Sequence, residues 1–285
     1  MVQIVIGAVL ISFSSVFVKL VNVGPTTALF YRFLFGAVTL VLFSVFTKTA
    51  LYKDMRSLLF AALAGFFFSL DLFLWHRSIH WVGPGLATIL ANFQVFILTL
   101  TGVVFMKERL RPVYVLSVLL AFSGLILLTG VGTVTMDSLY KKGIIYGLLT
   151  ALCYSAITLT IQKSQKLPVK LDPMANMAWL CVFGALFGSV EAAACGESFT
   201  IPDMQSLLFL LLYGAVCSGM GWYMITKGLP GVTISMAGLV LVLQPAFAFI
   251  WDILFFAKPV NFLNITGAAV TIIAIYMGAV FRTSR

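Results

Sequence analysis

The chain has 285 residues, of which 61% are hydrophobic and only 9% are charged. Soluble globular domains carry about 25% charged residues, so this composition excludes a water-exposed surface over most of the chain and indicates an integral membrane protein. The formal net charge of +9 comes from Lys and Arg scattered through short loops, a pattern explained by orientation in a membrane and not by nucleic-acid binding.

Apolar runs close to the length of a bilayer core follow one another along the whole chain. The first begins at Val2, with no basic residue before it and no small-residue cleavage site after it, so it is predicted to be a membrane helix and not a removable signal peptide. No stretch is long or polar enough for a separate soluble domain. The ten predicted helices cover about 2–20, 27–46, 57–76, 84–106, 112–131, 143–162, 174–194, 205–227, 232–256 and 261–281.

The basic residues in the loops predict that both termini are cytoplasmic. With that orientation, 12 of the 18 Lys and Arg lie on the cytoplasmic side and 5 on the other, while Arg32 falls inside helix 2. The cytoplasmic set is Lys48, Lys53, Arg56, Lys107, Arg109, Arg111, Lys163, Lys166, Lys170, Lys227, Arg282 and Arg285, and the opposite set is Lys19, Arg77, Lys141, Lys142 and Lys258.

Helices 4 and 9 carry similar polar residues, which indicates an internal repeat. When Gln94 is placed on Gln244, matching positions follow in the same order along the other helices. The matched pairs are Ala87 and Ala237, Phe105 and Phe255, Gly65 and Gly214, Ser69 and Ser218, Gly36 and Gly184, and Gly7 and Gly147. We therefore divide the chain into five-helix repeats at residues 1–132 and 133–285. Because five is odd, the second repeat is predicted to be inverted in the membrane, as in many secondary transporters that bind substrate near the midplane.

Three charged residues, Arg32, Asp71 and Asp252, fall inside predicted helices. A charge at a helix centre costs roughly 2.5–3.5 kcal/mol on insertion scales and needs a partner, a watery cavity or neutralisation. The predicted topology puts all three toward the non-cytoplasmic half, which would let Arg32 and Asp71 pair across helices 2 and 3. Two interpretations stay open: a structural ion pair, or a site where Asp71 holds a substrate ammonium or carries a coupling proton. Arg32 and Asp252 are interpreted as structural or coupling charges.

Aromatic and imidazole side chains follow Asp71 near the predicted end of helix 3. Trp75 and His76 are assigned with it to a substrate site. His76 and His80 have the spacing at which two imidazoles share a metal on one helix face, but no carboxylate or Cys ligand set accompanies them. An aromatic belt at the membrane interface explains this cluster better. No metal site and no cofactor are predicted.

Uncharged polar side chains lie in the middle of helices 4 and 9. Asn92, Gln94 and Gln244 either join helices by hydrogen bonds or line a central cavity, and the two Gln are expected to face one pseudo-symmetry axis. Together with aromatic side chains, they would form an amphipathic lining that suits a small organic solute better than a bare ion. The predicted substrate-binding residues are Asp71, Trp75, His76, Asn92, Gln94, Tyr154, Trp222 and Gln244.

No motif in the sequence indicates an enzyme. The HExxH, GxSxG, P-loop and Rossmann patterns are all absent, so ATP is not expected to be the direct energy source. The four cysteines lack CxxC spacing and are interpreted as packing residues. An intramembrane enzyme would need a close set of nucleophile, base or metal ligands near the midplane, and a receptor or scaffold would not require the repeat.

Several motifs resemble the EamA-type drug/metabolite transporters. The stretch from Gly85 to Arg111, with Leu-Ala-Asn-Phe-Gln-Val-Phe and then Met-Lys-Glu-Arg-Leu, is similar to the fourth helix of that family. Tyr31-Arg32-Phe33 resembles its second helix and Gln244-Pro245-Ala246-Phe247 its ninth. Two departures stand out: Val95 replaces a common Pro, and Ala257-Lys258-Pro259 lacks the Gly-Glu that often follows helix 9.

The resemblance implies a ten-helix secondary transporter that exports small metabolites across a bacterial-type inner membrane by alternating access. Amino acids, bulky or aromatic ones in particular, are the favoured substrates. A nucleoside, sugar or drug is the alternative substrate, and an intramembrane enzyme is the weaker alternative function. The expected partners are the small-molecule substrate, the lipid bilayer and, for coupled transport, protons. Nucleic acid is not expected, and the oligomeric state is left open.

Overall fold

The computed structural model describes residues 1–129, 138–257 and 261–280, whose regular secondary structure is entirely helical. The predicted repeat boundary after residue 132, and the loop or terminal residues Lys258, Arg282 and Arg285, lie outside the described residues. The helices are α1 Val2–Leu20, α2 Pro25–Phe46, α3 Met55–Gly83, α4 Leu86–Met106, α5 Pro112–Thr129, α6 Ser138–Ser164, α7 Pro173–Ala194, α8 Met204–Gly231, α9 Ile234–Phe256 and α10 Phe262–Val280.

The predicted all-α membrane architecture is confirmed. Within the described residues, nine helices are long and apolar enough to cross a membrane, and α5 is a shorter apolar helix. The largest difference concerns α3, which was expected to end near residue 76. It continues to Gly83, whose φ of 80° breaks the helical path, because no Gly or Pro interrupts the chain between Gly65 and Gly83. His76 and His80 therefore lie inside α3 and do not straddle its end.

Proline and short acceptor side chains start the helices. Pro25, Pro112 and Pro173 occupy the first helical positions of α2, α5 and α7, where a missing N–H costs nothing. Asp54 accepts the N–H groups of Arg56 and Ser57 before α3, and Asp203 accepts that of Ser206 before α8. These two caps lie at equivalent positions of the predicted repeats.

Left-handed residues follow four helices, at positions that the predicted repeats place in pairs. Lys48 after α2 and Gly196 after α7 have φ of 53° and 68°, and Lys107 after α4 and Ala257 after α9 have φ of 55° and 46°. A left-handed residue at this position lets its N–H satisfy a carbonyl of the last turn. Lys107 donates in this way to Gly102, and Ala257 to Asp252.

The chain forms two compact units. The first contains Met1–Phe73 and Ala156–Gly231, and the second contains the described residues of Leu74–Ser155 and Val232–Arg285. Each unit draws helices from both predicted repeats, and α3 and α6 contribute to both units. The division of the chain into repeats 1–132 and 133–285 stays a prediction.

Glycines allow the backbones of the first unit to pack closely. A Cβ on Gly65 of α3 would meet the backbone of Gly184 in α7 at 3.0 Å, and a Cβ on Gly214 of α8 would meet that of Gly36 in α2 at 2.7 Å. The contacts exchange repeat equivalents, since Gly65 corresponds to Gly214 and Gly184 to Gly36. Close approach of small residues is the usual basis of helix association in lipid.

The second unit shows the same kind of packing. The helices α5 and α10 approach where a Cβ on Gly124 would meet Thr271 Oγ1 at 2.5 Å. Further along the pair, a Cβ on Gly278 would meet Ser117 Cβ at 3.2 Å. The helices α4 and α9 meet at Gly238, where a Cβ would lie 3.1 Å from Leu98 Cβ.

Two helices that the predicted repeat matches, α4 and α9, are interrupted at matching residues. In α9 the break falls at Val242, and Pro245 accounts for it because its ring excludes the helical bond to the carbonyl four residues earlier. In α4 the break falls at Asn92 and Phe93 although Val95 stands where α9 has the proline. There, the N–H groups of Phe93 and Val95 donate to the carbonyls of Leu90 and Asn92, three residues earlier, and not four residues earlier as in a regular α-helix.

Candidate functional site

A wide helical turn in α8 positions the polar groups of the first unit. Tyr213–Gly221 forms nine residues of π-helix with the sequence Tyr-Gly-Ala-Val-Cys-Ser-Gly-Met-Gly. Its glycines disfavour the regular α-helix, and π-helical turns occur frequently at functional sites. The turn carries Tyr213 and Ser218, both buried, toward α2.

The guanidinium of Arg32 contacts Ser218, Tyr213 and Phe68. We call these four residues, together with Asp71, the Arg32 cluster. Arg32 is 3% exposed, its Nε donates to Ser218 Oγ at 2.9 Å, and its Nη1 donates to the Tyr213 hydroxyl at 2.9 Å. Its Cζ also lies 4.8 Å from the ring centroid of Tyr213 and 5.2 Å from that of Phe68. Both hydrogen-bond acceptors are neutral hydroxyls, so these bonds hold the guanidinium without neutralising its charge.

Asp71 is the second charge of the cluster. The side chain is 4% exposed, and Oδ1 is buried without a hydrogen-bond partner among the described residues. Asp71 interacts electrostatically with Arg32, but no described hydrogen bond joins the two side chains. The pairing across α2 and α3 therefore stays a prediction, and Asp71 keeps an acceptor oxygen available.

Aromatic rings border the two charges. The Phe68 ring lies 4.9 Å from that of Phe33 and 4.8 Å from that of Trp222, measured between centroids. Phe68 and Asp71 are three residues apart on α3 and thus share a helix face. Trp222, predicted as a substrate-binding residue, is buried here beside Phe68.

The other predicted binding residues lie in the second unit. Gln244 Nε2 donates to the Tyr154 hydroxyl at 2.7 Å, so these two residues are brought together. Gln94 Nε2 instead donates to the carbonyl of Gly238 at 3.3 Å, and its Oε1 is buried without a hydrogen-bond partner among the described residues. The two equivalent glutamines therefore have different partners.

Four more candidates have local contacts. Trp75 and His76 are neighbours on α3 with ring centroids 5.5 Å apart. Asn92 is bonded within α4, and Asp252 is half-buried in α9. Within the described ranges, no three His, Cys, Asp or Glu side chains are grouped to hold a metal ion. None of the four cysteines, all of which are described, forms a disulfide, and Cys195 is exposed while the others are buried.

One carboxylate in each unit holds the start of a helix, and sequence reasoning missed both roles. Glu108, after α4, accepts the N–H of Ile234 at 2.9 Å and the Ser235 hydroxyl at 2.5 Å at the start of α9. Glu197, after α7, accepts the N–H groups of Thr26 and Thr27 at 3.2 and 2.8 Å at the start of α2. An anion at a helix N-terminus satisfies unpaired N–H groups and the helix dipole. Each Glu follows a left-handed residue, a local signal available in sequence only at Gly196.

The pKa of Glu197 reflects this cap. Burial acts to raise the pKa of the carboxyl, but the hydrogen bonds from Thr27 and Thr26 outweigh it, so the pKa lies below its ordinary value of 4.5. Glu197 is thus a carboxylate at neutral pH, as a helix cap requires.

Sequence reasoning also missed the residues that hold Arg32. Ser218 was matched to Ser69 only as a small residue, while Tyr213 and Phe68 were not considered. The glycine-rich run after Tyr213 was the available signal, because three glycines in nine residues weaken an α-helix and permit a wider turn.

Comparisons with known proteins agree with this architecture. A chloroplastic WAT1-related protein of Arabidopsis thaliana is 27% identical over 212 residues, which cover 68% of this chain. The chain spans about half the length of that relative, 48%. A protein of known crystal structure superposes with a TM-score of 0.83 over 99% of both chains at 15% identity, which shows a shared fold. The model of the EamA-like transporter family matches residues 1–130 and 141–279. This multi-pass membrane protein therefore belongs to the EamA-like transporter family.

Proposed function

We propose that the protein is a secondary transporter that exports amino acids, with a preference for bulky or aromatic ones, by alternating access across a bacterial-type inner membrane. The observation that carries the proposal is the buried pair of Arg32 and Asp71 beside the rings of Phe68 and Trp222. Ionisable residues inside membrane helices mark substrate or ion pathways by default. Two opposite charges next to aromatic rings match the chemistry of an amino acid with a large side chain.

Repeated local structure supports alternating access. Equivalent helix caps, equivalent left-handed helix ends and the exchanged glycine contacts of the first unit are what two inverted copies of one five-helix unit would produce. The breaks in α4 and α9 add a second feature, since interrupted helices are common in transporters built from inverted repeats. Two similar copies in opposite orientations would provide two nearly equivalent states, one open to each side.

The sequence supports the energy source and the orientation. It has no nucleotide-binding motif, so the driving force is the gradient of the substrate itself or of a coupled proton. Twelve of the 18 Lys and Arg lie on the side that the positive-inside rule assigns to the cytoplasm, together with both termini.

Uptake into liposomes tests the proposal. Purified protein is reconstituted and given a panel of labelled amino acids, with and without a pH gradient, and protein-free liposomes are the control. We expect saturable uptake that accelerates when the liposomes are preloaded with the same unlabelled amino acid, as carriers show and channels do not. Stimulation by the pH gradient would add proton coupling, and equal rates would indicate facilitated diffusion.

A neutral polar solute is the second candidate substrate. The amide of Gln244 bonded to the Tyr154 hydroxyl offers uncharged hydrogen-bonding groups, which suit a nucleoside, a sugar or a neutral drug better than a zwitterion. Folded protein that moves a nucleoside or sugar and no amino acid would reject the proposed substrate and support this alternative.

A further inference from the structure

We infer that Asp71 and Arg32 together form the binding site for the charged end of a zwitterionic substrate, with the substrate ammonium on Asp71 Oδ1 and its carboxylate beside the Arg32 guanidinium. This inference rests on the proposed function and names the two side chains that bind the charged groups of the substrate. The first observation is that Asp71 Oδ1, in a side chain that is 4% exposed, has no hydrogen-bond partner within the described residues. Buried polar atoms are almost always hydrogen-bonded, and an exception requires an explanation.

The contacts of Arg32 explain why it does not donate the missing hydrogen bond to Asp71 Oδ1. Arg32 is already fixed by Ser218 and Tyr213 through Nε and Nη1. Because a guanidinium has five N–H donors, two bonds to α8 leave further donors for a substrate carboxylate. The Arg32 charge is therefore held in place by groups that cannot neutralise it, and Asp71 is left with an acceptor that Arg32 does not take.

An α-amino acid can supply both a hydrogen-bond donor for Asp71 Oδ1 and an anion for the Arg32 guanidinium. Its ammonium and carboxylate are carried by a single carbon atom, so it can offer a cation to Asp71 and an anion to Arg32 at the same time. A simple amine would place an uncompensated positive charge beside Arg32, and a simple acid would place a negative charge beside Asp71. Like charges in a site of low dielectric repel strongly, so the pair selects zwitterions over both.

The aromatic rings beside Arg32 and Asp71 determine where the apolar side chain of the substrate would pack. Phe68 shares a helix face with Asp71 and contacts both the Arg32 guanidinium and the Trp222 ring. An apolar or aromatic substrate side chain would pack on these rings once its charged end is bound. This arrangement gives a physical reason for a preference for bulky amino acids.

Binding and transport with three forms of one ligand test the inference. Phenylalanine is compared with N-acetylphenylalanine, which has no ammonium, and with phenylalanine methyl ester, which has no carboxylate. If another amino acid gives faster uptake in the liposome panel, it and its two derivatives replace this set. We expect wild-type protein to bind each derivative at least about tenfold more weakly than the amino acid, the effect of one charged hydrogen bond.

The variant Asp71→Asn removes the charge with almost no change in shape. We expect it to weaken amino-acid binding by about tenfold or more. The weak binding of the N-acetyl derivative should become stronger, because its carboxylate is no longer repelled by Asp71. Asp54→Asn is the matched control: it makes the same chemical change just before α3, and Asn caps helices as well as Asp. Its affinity should equal that of wild type.

The outcomes separate the inference from the proposed function. Wild-type protein that moves no amino acid would overturn the proposed substrate and the inference with it. Wild-type transport combined with undiminished amino-acid affinity in Asp71→Asn overturns only the assignment of Asp71. Equal affinity of wild type for phenylalanine and its N-acetyl derivative overturns it as well, and this comparison does not depend on the folding of any variant.

Discussion

Tyr213 contacts Arg32 twice, with its hydroxyl and with its ring. The hydroxyl accepts a hydrogen bond from Nη1 at 2.9 Å, and the ring centroid lies 4.8 Å from Cζ. A cation over an aromatic face and a hydrogen bond to the same side chain together restrict the position of the guanidinium. Tyr213 therefore positions Arg32, and the π-helical turn of α8 positions Tyr213.

Replacing the Tyr213 hydroxyl tests its hydrogen bond to Arg32 independently of the ring contact. Tyr213→Phe keeps the ring and leaves the buried Nη1 without its acceptor, so we expect a loss of stability of about 1–3 kcal/mol. Thermal unfolding in detergent measures it, and Tyr213→Leu, which also removes the ring, should lose more. Tyr52→Phe, at an exposed tyrosine, is the control and should unfold like wild type. Equal stability of Tyr213→Phe and wild type would contradict the positioning role.

The closeness of α2 and α8 depends on the absence of a side chain at Gly214. A Cβ there would lie 2.7 Å from the nitrogen of Gly36 and 2.9 Å from the carbonyl oxygen of Arg32, and backbone atoms cannot rotate away. We expect Gly214→Ala to destabilise the protein by about 1–3 kcal/mol, as overpacking does. At Gly231 a Cβ would meet nothing within 4 Å, so Gly231→Ala is the matched control. The two variants are compared by thermal unfolding, and similar melting temperatures would contradict the close packing.

The Glu197 cap should weaken in acid. Because its folded-state pKa lies below the ordinary value of 4.5, the cap contributes stability above that value and loses it as the pH falls through the folded-state pKa. Glu197→Gln keeps an acceptor but has no charge to lose, so the part of the acid dependence that comes from this residue should disappear. Melting temperatures at neutral and acid pH measure the difference. Parallel acid profiles of variant and wild type would argue against the cap.

Proline at position 95 tests the break in α4. Val95 donates its N–H to the carbonyl of Asn92 at 3.1 Å, next to the interruption. Proline in a helix interior costs about 3 kcal/mol or more, but here the regular pattern is already broken, so we expect Val95→Pro to cost clearly less. Val118→Pro, at a buried valine in α5, is the comparison. Equal losses of stability in thermal unfolding would show that the break in α4 does not accommodate proline.

Much of the candidate site depended on partners that sequence does not reveal. Arg32 and Asp71 lie in one unit without a described hydrogen bond between them, and the Tyr154 hydroxyl accepts a bond from Gln244. The glutamines matched by the repeat, however, bond to different partners, because a repeat aligns backbones while each side chain bonds to whichever group is nearest. His76 and His80 were expected near the end of α3, but the structure continues this helix to Gly83.

The amino-acid sequence by itself determined that this is an all-helical membrane protein, where most of its helices run and which motifs join it to its family. It could do so because the length and apolar character of a membrane helix, and the Pro, Asp and Gly at its ends, are local properties. Only the tertiary structure decided that Arg32 bonds to Tyr213, 181 residues away. It also decided that Asp71 Oδ1 has no hydrogen-bond partner in the part of the chain that the structure describes. Those facts depend on which glycines let two helices meet and on the widened turn of α8, and both are consequences of packing between distant parts of the chain.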